Sequence, residues 1–118
     1  MKTSELTGAA LDWAVAKCEG FVKVAIWPDH IGVCKKHSFE NQLRWAPSTD
    51  WSQGGPIIDR EKMQTKFCGD YLGWGAIKDG YVAGCFGPTP LVAAMRCYVA
   101  HKLGDTVDVP EELCPPTA

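Results

Sequence analysis

The stretch GPTPLVAAMRCYVAHKLGD, residues 87–105, contains the best-specified element of the sequence and decides the fold class. Thr89 suits the N-cap, and Pro90 suits the first helical position, where a missing N–H is harmless. Five apolar residues recur at helical spacing on one face: Leu91, Ala94, Met95, Tyr98 and Val99. Cationic residues in the last turn, followed by Gly104, predict the C-terminal end of this helix. This helix needs a sheet or another helix to cover its apolar face.

The segment before this helix, YLGWGAIKDGYVAGCFG at 71–87, predicts a β-hairpin. Asp79-Gly80 is a two-residue turn signal, because a type I′ turn needs positive φ at both central residues. Folding about this turn predicts three cross-strand pairs: Lys78 with Tyr81, Ile77 with Val82 and Ala76 with Ala83. Glycines at 73, 75 and 84 predict a bulge or a close approach of backbones.

The N-terminal region predicts a helix followed by a strand. In LTGAALDWAVAKCEG, residues 6–20, four residues share one helical face: Leu11, Ala14, Val15 and Cys18. Gly20 is expected to end that helix. The next segment, FVKVAI at 21–26, is rich in β-branched residues and predicts a strand. Residues 27–46 are less regular, with short strands expected near 31–34 and 42–45.

These elements predict an α/β (α+β) fold, with a small, mostly antiparallel sheet and about three helices packed on it. At 118 residues the chain matches the usual length of one domain. We assign residues 1–110 to this domain and residues 111–118, EELCPPTA, to a flexible tail.

The composition narrows the classes of function. A net charge of -2 supplies no broad basic field, so tight nonspecific binding to nucleic acid is disfavoured. The first residues lack the apolar core of a signal peptide, and no apolar run reaches membrane-spanning length. The chain has six cysteines: Cys18, Cys34, Cys68, Cys85, Cys97 and Cys114. In a chain without a secretory signal, we interpret them as reduced thiols in a cytosol, mostly filling the core.

A candidate ligand site lies in PSTDWSQGGPIIDRE, residues 47–61. Ser, Thr and Asp start a helix there, yet two glycines and a proline follow one turn later. We expect a two-step start, in which Asp50 or Thr49 caps a single turn and Pro56 begins the main helix, PIIDREKM.

On this interpretation the backbone N–H groups of Gly54, Gly55 and Ile57 point outward at a helix N-terminus. Such a place suits an anion, because unsatisfied donors meet the positive end of the helix dipole. Arg60 would add charge and Trp51 would stack on a flat ring. The plainer interpretation makes Gly-Gly-Pro a turn, Trp51 a core residue and Arg60 a solvated helix residue. The spacing matches neither GxxxxGK[ST] nor GxGxxG, so nucleoside triphosphate hydrolysis is not supported.

A second, weaker candidate is a metal site in DHIGVCKKH, residues 29–37. His30, Cys34 and His37 carry zinc-type donors, and Cys34-x-x-His37 has the spacing of half a site. A further ligand would have to come from afar, for example Cys68. The alternative is a surface loop with one buried thiol. No local nucleophile–base pair stands out either, so we predict neither an enzyme nor a cofactor.

Several blocks of the sequence resemble the NinX family of lambdoid and related tailed phages. They are TSELTGAALDWAVAKCEG, PSTDWSQGGPII, GPTPLVAAMRCYVAHKLGD and VDVPEEL. The second and third are also similar to the phage α/β/α sandwich domain family. The resemblance implies a small sheet with helices on its faces and an accessory protein made in the cytoplasm of an infected bacterium. It brings no settled activity and no catalytic residues.

Two functional hypotheses follow. The first is a nonenzymatic phage protein that binds a small anionic, nucleotide-like ligand and so counters host defence by sequestering a signal. Its candidate residues are Thr49, Asp50, Trp51, Gly54, Gly55 and Arg60, with Thr89 and Arg96 as weaker additions. Arg96 lies off the apolar stripe of its helix and is either exposed or reaches a neighbouring site. The second is an adaptor that binds a host or phage protein through a surface patch; self-association is left open.

Overall fold

The computed structural model describes residues 1–21, 23–28, 30–34, 43–78 and 81–114, and most of these residues lie in helices or strands. Its helices are α1 (Gly8–Glu19), α2 (Trp51–Arg60) and α3 (Pro90–Leu103). Its strands are β1 (Lys23–Ile26), β2 (Ile31–Cys34), β3 (Leu43–Trp45), β4 (Met63–Phe67), β5 (Trp74–Lys78) and β6 (Tyr81–Gly87). The predicted α+β class is confirmed. The strands form two antiparallel sheets where one was expected, an N-terminal sheet β1-β2-β3 and a C-terminal sheet β4-β5-β6.

The central element of the core is α3, as its sequence pattern predicts. The Thr89 hydroxyl caps the helix by accepting the Val92 N–H at 3.1 Å, and Pro90 occupies the first turn. All five predicted face residues are buried. Further residues of this helix are buried as well: Val92, Ala93, Cys97 and Ala100. The helix is therefore enclosed on several sides, with the C-terminal sheet and α1 packed against it.

The hairpin β5–β6 forms, but its predicted register is partly wrong. Lys78 pairs with Tyr81 as expected, whereas Ala76 pairs with Cys85 and not with Ala83. A bulge causes the difference, because three residues of β6 face one residue of β5 between these two pairs. The Ile77–Val82 pair falls in this bulge, and the turn at 79–80 lies outside the described residues. The close approach predicted at position 73 is present: a Cβ there would lie 2.7 Å from the Gly87 carbonyl oxygen.

The two-step start predicted for the second helix is wrong. The Asp50 carboxylate accepts hydrogen bonds from the Ser52 amide (2.9 Å) and hydroxyl (2.6 Å), and one continuous helix begins there. Pro56 lies inside this helix, where it removes a single N–H donor without ending it. The helix also ends earlier than predicted, at Arg60, since Lys62 adopts a positive φ of 53° and the chain enters β4. Residues 63–67 form strand β4 because they pair with β5. We did not predict β4 from the sequence.

A side-chain amide joins α2 to the N-terminal sheet. Gln53 Nε2 donates to the Arg44 carbonyl at 2.7 Å, and Gln53 Oε1 accepts from the Ala46 N–H at 2.6 Å. The amide thus takes the place of a neighbouring strand at the outer edge of β3. Pairing these edge groups blocks the addition of another strand at that point.

A charged network links the three helices. Arg60 donates two hydrogen bonds to the Glu19 carboxylate (3.0 and 2.6 Å), and the Tyr98 hydroxyl donates to the same carboxylate at 2.7 Å. Burial by itself would raise the pKa of Glu19. The hydrogen bonds from Arg60 and Tyr98 outweigh burial, and the pKa lies below its ordinary value. The three partners come from three different helices, so the network connects α1, α2 and α3.

A buried carboxylate holds the loop before α2 against α1. Asp12 is buried on α1, and its Oδ1 accepts the Ser48 N–H at 2.9 Å. Desolvation raises the pKa of Asp12 to about 6, because burial disfavours the charged form more than this hydrogen bond favours it.

The predicted boundary between domain and tail falls just before a last short element. Glu111–Leu113 form a 3-10 turn, and Leu113 packs against the core. Residues 115–118 lie outside the described part of the chain.

Candidate functional site

The proposed amide cradle at Gly54 and Gly55 is wrong. The Gly54 N–H donates to the Asp50 carbonyl at 2.9 Å as an ordinary helical hydrogen bond, and Gly54 is buried. Gly55 lies in the interior of the same helix. The premise of free amides at a helix start therefore fails, because the capping carboxylate starts the helix before the two glycines.

The other residues predicted for this site have separate roles. Thr49 lies in a turn, with its hydroxyl 3.4 Å from the Ala46 carbonyl oxygen, and Asp50 caps α2. Trp51 is 55% exposed instead of being a core residue. The Arg60 side chain lines a groove of about 560 Å³ between α2 and β3, but its guanidinium is committed to Glu19. The structure does not assemble these side chains around one ligand position.

A different cavity, of about 590 Å³, contains one of the weaker predicted residues, Arg96. Four segments line this Arg96 cavity: residues 2–4, residues 85–88, one side of α3 and residues 105–106. Its lining residues are Lys2, Thr3, Ser4, Leu72, Cys85, Phe86, Gly87, Pro88, Arg96, Ala100, Asp105 and Thr106. Thr89, the other weaker addition, is absent from this lining, and its hydroxyl serves as the cap of α3.

The two ends of the domain meet at this cavity. The Thr3 N–H donates to the Asp105 carbonyl at 2.8 Å, and the Thr3 hydroxyl donates to the Gly104 carbonyl at 2.6 Å. Lys2 and Thr106 form an antiparallel bridge. These contacts place the N-terminal segment beside the chain that leaves α3, so residues about one hundred positions apart share one wall.

Arg96 is held in place by backbone carbonyls. Its Nε donates to the Leu6 carbonyl and its Nη1 to the Phe86 carbonyl, both at 2.7 Å. Among the described residues, Nη2 has no hydrogen-bond acceptor, and no carboxylate oxygen lies within 4.0 Å of the guanidinium. The side chain is thus fixed while part of its hydrogen-bonding capacity stays unused.

The charge balance of the cavity favours an anion. Lys2 and Arg96 contribute positive charge to the lining, against the single carboxylate of Asp105. Burial lowers the pKa of Arg96, since desolvation disfavours the charged guanidinium. A bound anion would relieve this cost, because a buried charge is stabilised by a hydrogen-bonded partner of opposite sign.

The sequence is matched by the family model described as NinX of bacteriophage P22, over residues 2–102. The chain belongs to the NinX family. No curated protein matches the chain. Membership of this phage family makes the protein a bacteriophage accessory protein.

The NinX match includes most of the cavity. It runs from Lys2 to the last turn of α3 and therefore covers Arg96 and Ala100, while Asp105 and Thr106 lie outside it. Sequence reasoning identified Arg96 from its position off the apolar stripe. It missed Lys2, since no local pattern indicates that the start of the chain meets the end of α3.

The metal hypothesis for this NinX-family chain finds no support in the described residues. His30 precedes β2 and Cys34 ends it, so an extended strand separates them by about 13 Å. The His30 ring stacks on Trp27, with ring centroids 6.2 Å apart, and Cys34 is buried. His37 lies outside the described residues, within which no three His, Cys, Asp or Glu side chains are grouped to hold a metal.

The described helices also bear on membrane association. In the part of the chain that the structure covers, no helix combines the length and apolar character needed to cross a bilayer.

Proposed function

We propose that this NinX-family protein binds a small anionic, nucleotide-like ligand in the Arg96 cavity. By sequestering such a signal in the cytoplasm of the infected bacterium, the protein would counter host anti-phage defence. The observation that carries the proposal is the Arg96 guanidinium, which is held by two carbonyls and has no carboxylate partner among the described residues.

The geometry of the guanidinium supports a phosphate group as the anion. A guanidinium carries five N–H donors in a planar fork that matches phosphate oxygens, and two of them are already used. The remaining donors on Nη1 and Nη2 can bind one phosphate. Lys2, which also lines the cavity, supplies a second positive charge, either for the same phosphate or for an adjacent phosphate of the same ligand.

The size and the apolar part of the wall support a nucleoside. A volume of about 590 Å³ falls within the range of roughly 300–1,000 Å³ typical of small-molecule sites. Leu72, Pro88 and Ala100 provide apolar surface for a base or sugar, and Ser4 and Thr106 add hydroxyl-bearing side chains. The proposal is binding without catalysis, so the ligand should be retained unchanged.

The ligand proposal is tested by measuring thermal unfolding with a panel of linear and cyclic nucleotides. A ligand present at one hundred times its Kd stabilises the folded state by about 2.7 kcal/mol, which raises the melting temperature. We expect a nucleotide of the panel to do so and to be recovered unchanged. Substitution Arg96→Met should weaken its binding about 30-fold or more, because the buried phosphate contact is lost. Arg44→Met, an exposed arginine on β3, is the matched control and should bind normally.

A second variant separates binding from folding. Arg96→Met also frees the Leu6 and Phe86 carbonyls and can therefore lower stability by itself. Lys2→Met removes a charge from an exposed residue and should weaken binding without lowering the melting temperature of the free protein. The proposal fails if the whole panel leaves the melting temperature unchanged, or if both variants bind as tightly as the parent.

A specific observation favours the adaptor as a second candidate function. Ile77 and Phe86 lie on the outer face of the C-terminal sheet, away from α3, and are 54% and 39% exposed. Gly75, the cross-strand partner of Phe86, has no side chain, and a Cβ there would lie 3.1 Å from the Cys68 sulfur and 3.4 Å from the Phe86 ring. We propose a host or phage protein as the occupant of this apolar face.

The adaptor candidate predicts a stoichiometric partner in infected cells. Ile77→Asp should abolish capture of that partner, because a carboxylate would be buried without a partner in the contact. Leu43→Asp places the same charge at a comparably exposed residue of the other sheet and should retain the partner. Reconstitution with the purified partner is the deciding measurement. Equal binding by the parent and the Ile77→Asp variant would exclude this face.

A further inference from the structure

The lining of the Arg96 cavity includes one carboxylate, that of Asp105, together with the cations Lys2 and Arg96. Among the described residues, this carboxylate accepts no hydrogen bond, and it lies more than 4.0 Å from the charged nitrogens of both cations. Its capacity as an acceptor is therefore unused. A phosphate at Arg96 is repelled by this negative charge, so Asp105 weakens anion binding unless another part of the ligand binds to it.

The N-terminal segment fixes the backbone that carries Asp105. Thr3 donates its hydroxyl to the Gly104 carbonyl at 2.6 Å and its N–H to the Asp105 carbonyl at 2.8 Å. Val107 and Met1 exchange two further hydrogen bonds, both of 2.9 Å. All of these contacts to residues 104–107 use backbone groups of that segment. The carboxylate of Asp105 is thus held at the cavity without being used by the fold.

The cation and the carboxylate lie at different positions along α3. Arg96 lies roughly two turns before Leu103, the last residue of this helix, which corresponds to about 10 Å of helix axis. Asp105 follows Leu103 two residues later, and Ala100, which comes between Arg96 and Asp105 in the chain, also lines the cavity. A ligand that fills the cavity therefore presents its phosphate to Arg96 and a different group to Asp105.

The chemistry of Asp105 identifies that second group. An ionised carboxylate only accepts hydrogen bonds, and its two oxygens accept from two neighbouring donors. The 2′- and 3′-hydroxyls of a ribose are two such donors, and they carry no charge that the carboxylate would repel. In a 5′-nucleotide, the sugar ring holds this diol apart from the phosphate.

We propose that Asp105 binds the 2′- and 3′-hydroxyls of a ribose, so that the Arg96 cavity takes ribonucleotides with a free vicinal diol. This inference rests on the proposed function and names the sugar of its ligand. A 2′-deoxyribonucleotide leaves Asp105 with one donor fewer, and a 2′,3′- or 3′,5′-cyclic phosphate brings negative charge towards it. Both classes of nucleotide are expected to bind more weakly.

Equilibrium binding of pyrophosphate and of nucleoside 5′-diphosphates tests this inference. The nucleotide probes are the adenosine, guanosine, cytidine and uridine diphosphates, each compared with its 2′-deoxy form. We expect at least one ribonucleotide to bind, and to bind roughly tenfold more tightly than its 2′-deoxy form. This ratio is what the loss of one hydrogen bond to a charged, solvent-exposed acceptor predicts.

The variant Asp105→Ala is expected to change two affinities in opposite directions. The preference for ribose should fall to roughly twofold or less, because no acceptor remains for the diol. The affinity for pyrophosphate, which has no diol, should rise roughly two- to threefold, because a repelling charge is removed. Asp108→Ala removes the same charge from an exposed residue outside the cavity lining and should change neither value. Equal effects of the two variants would refute the ribose contact.

A second variant keeps the test independent of folding. If Asp105→Ala melts at a lower temperature than the parent, Asp105→Asn takes its place, since asparagine has nearly the same size and keeps one acceptor oxygen. Because it removes the charge, it should raise the affinity for pyrophosphate by a similar factor. It should also reduce the preference for ribose. An unchanged ribose preference in this variant would refute the contact.

The outcomes for the parent separate this inference from the proposed function. If neither pyrophosphate nor any diphosphate binds, the proposed function is refuted and the ribose contact with it. If the probes bind, and bind more weakly to Arg96→Met, but the ribose and 2′-deoxy forms bind equally, only the ribose contact is refuted. A preference for one base that persists in the 2′-deoxy forms and disappears in Asp105→Ala would also refute it, because Asp105 would then bind the base.

Discussion

Replacing Gly54 by alanine is expected to lower the free energy of unfolding by about 2 kcal/mol, although alanine is the better helix former. The new Cβ would lie 2.5 Å from the Pro47 carbonyl oxygen and 2.6 Å from Leu91 Cδ2. The carbonyl belongs to the backbone, so α2 would have to move as a whole. Overpacking of this kind costs roughly 1–3 kcal/mol or more, which exceeds the gain of about 1 kcal/mol in helix propensity.

Gly55→Ala is the matched control for this prediction. The nearest atom to its Cβ is Trp51 Cε3, at 4.0 Å, so alanine fits there without a clash. We expect this variant to be more stable than the parent by roughly 0.5–1 kcal/mol in denaturant unfolding. A stabilising effect of similar size at both positions would contradict the close packing of α2. It would also reopen the exposed helix start that the sequence pattern favoured.

Asp12→Asn is expected to stabilise the protein at pH 8 by roughly 1–3 kcal/mol. The pKa of Asp12 is raised from 3.8 to about 6, because its carboxylate is desolvated on α1. That difference corresponds to about 3 kcal/mol of disfavoured ionisation in the folded state. Asparagine keeps an acceptor oxygen for the Ser48 N–H and carries no charge to bury.

The sign of the pH dependence follows from the raised pKa. The folded state binds the Asp12 proton more tightly than the unfolded state, so this contribution to stability is fully present below about pH 4. It is lost as the pH rises through about 6. Denaturant unfolding of the parent between pH 4 and pH 7 should show this loss, and Asp12→Asn should remove it. Asp108→Asn, at an exposed residue, should leave it unchanged. Identical pH profiles for the parent and Asp12→Asn would show that the carboxylate is not desolvated.

Local chemistry explains which elements were predictable. The C-terminal helix combined an N-cap threonine, a first-turn proline and a complete apolar face, so several independent signals agreed. The N-terminal helix likewise ended at Gly20, whose φ of 73° is accessible to glycine at little cost. At α2 the local signals conflicted. The Asp50 cap prevailed over the two glycines because Gly54 allows the helix to pack directly against Pro47 and Leu91.

The candidate site was only partly predictable for a related reason. A residue's position on a helical stripe is a local property, and this property marked Arg96 as unusual. The partners of Arg96 come from elsewhere in the chain: the Leu6 carbonyl, the Phe86 carbonyl and the cavity wall with Lys2. No spacing rule connects residues separated by ninety positions.

The sequence by itself determined the helices α1 and α3, the hairpin β5–β6 and the α+β class, and its blocks already indicated the NinX family. These features depend on side-chain periodicity, capping and turn chemistry, which act within a few residues. The tertiary structure alone decided strand β4, the division into two sheets and the cavity around Arg96. Each depends on contacts between distant segments, whose free energy becomes available only after the chain has closed the long loops that bring those segments together.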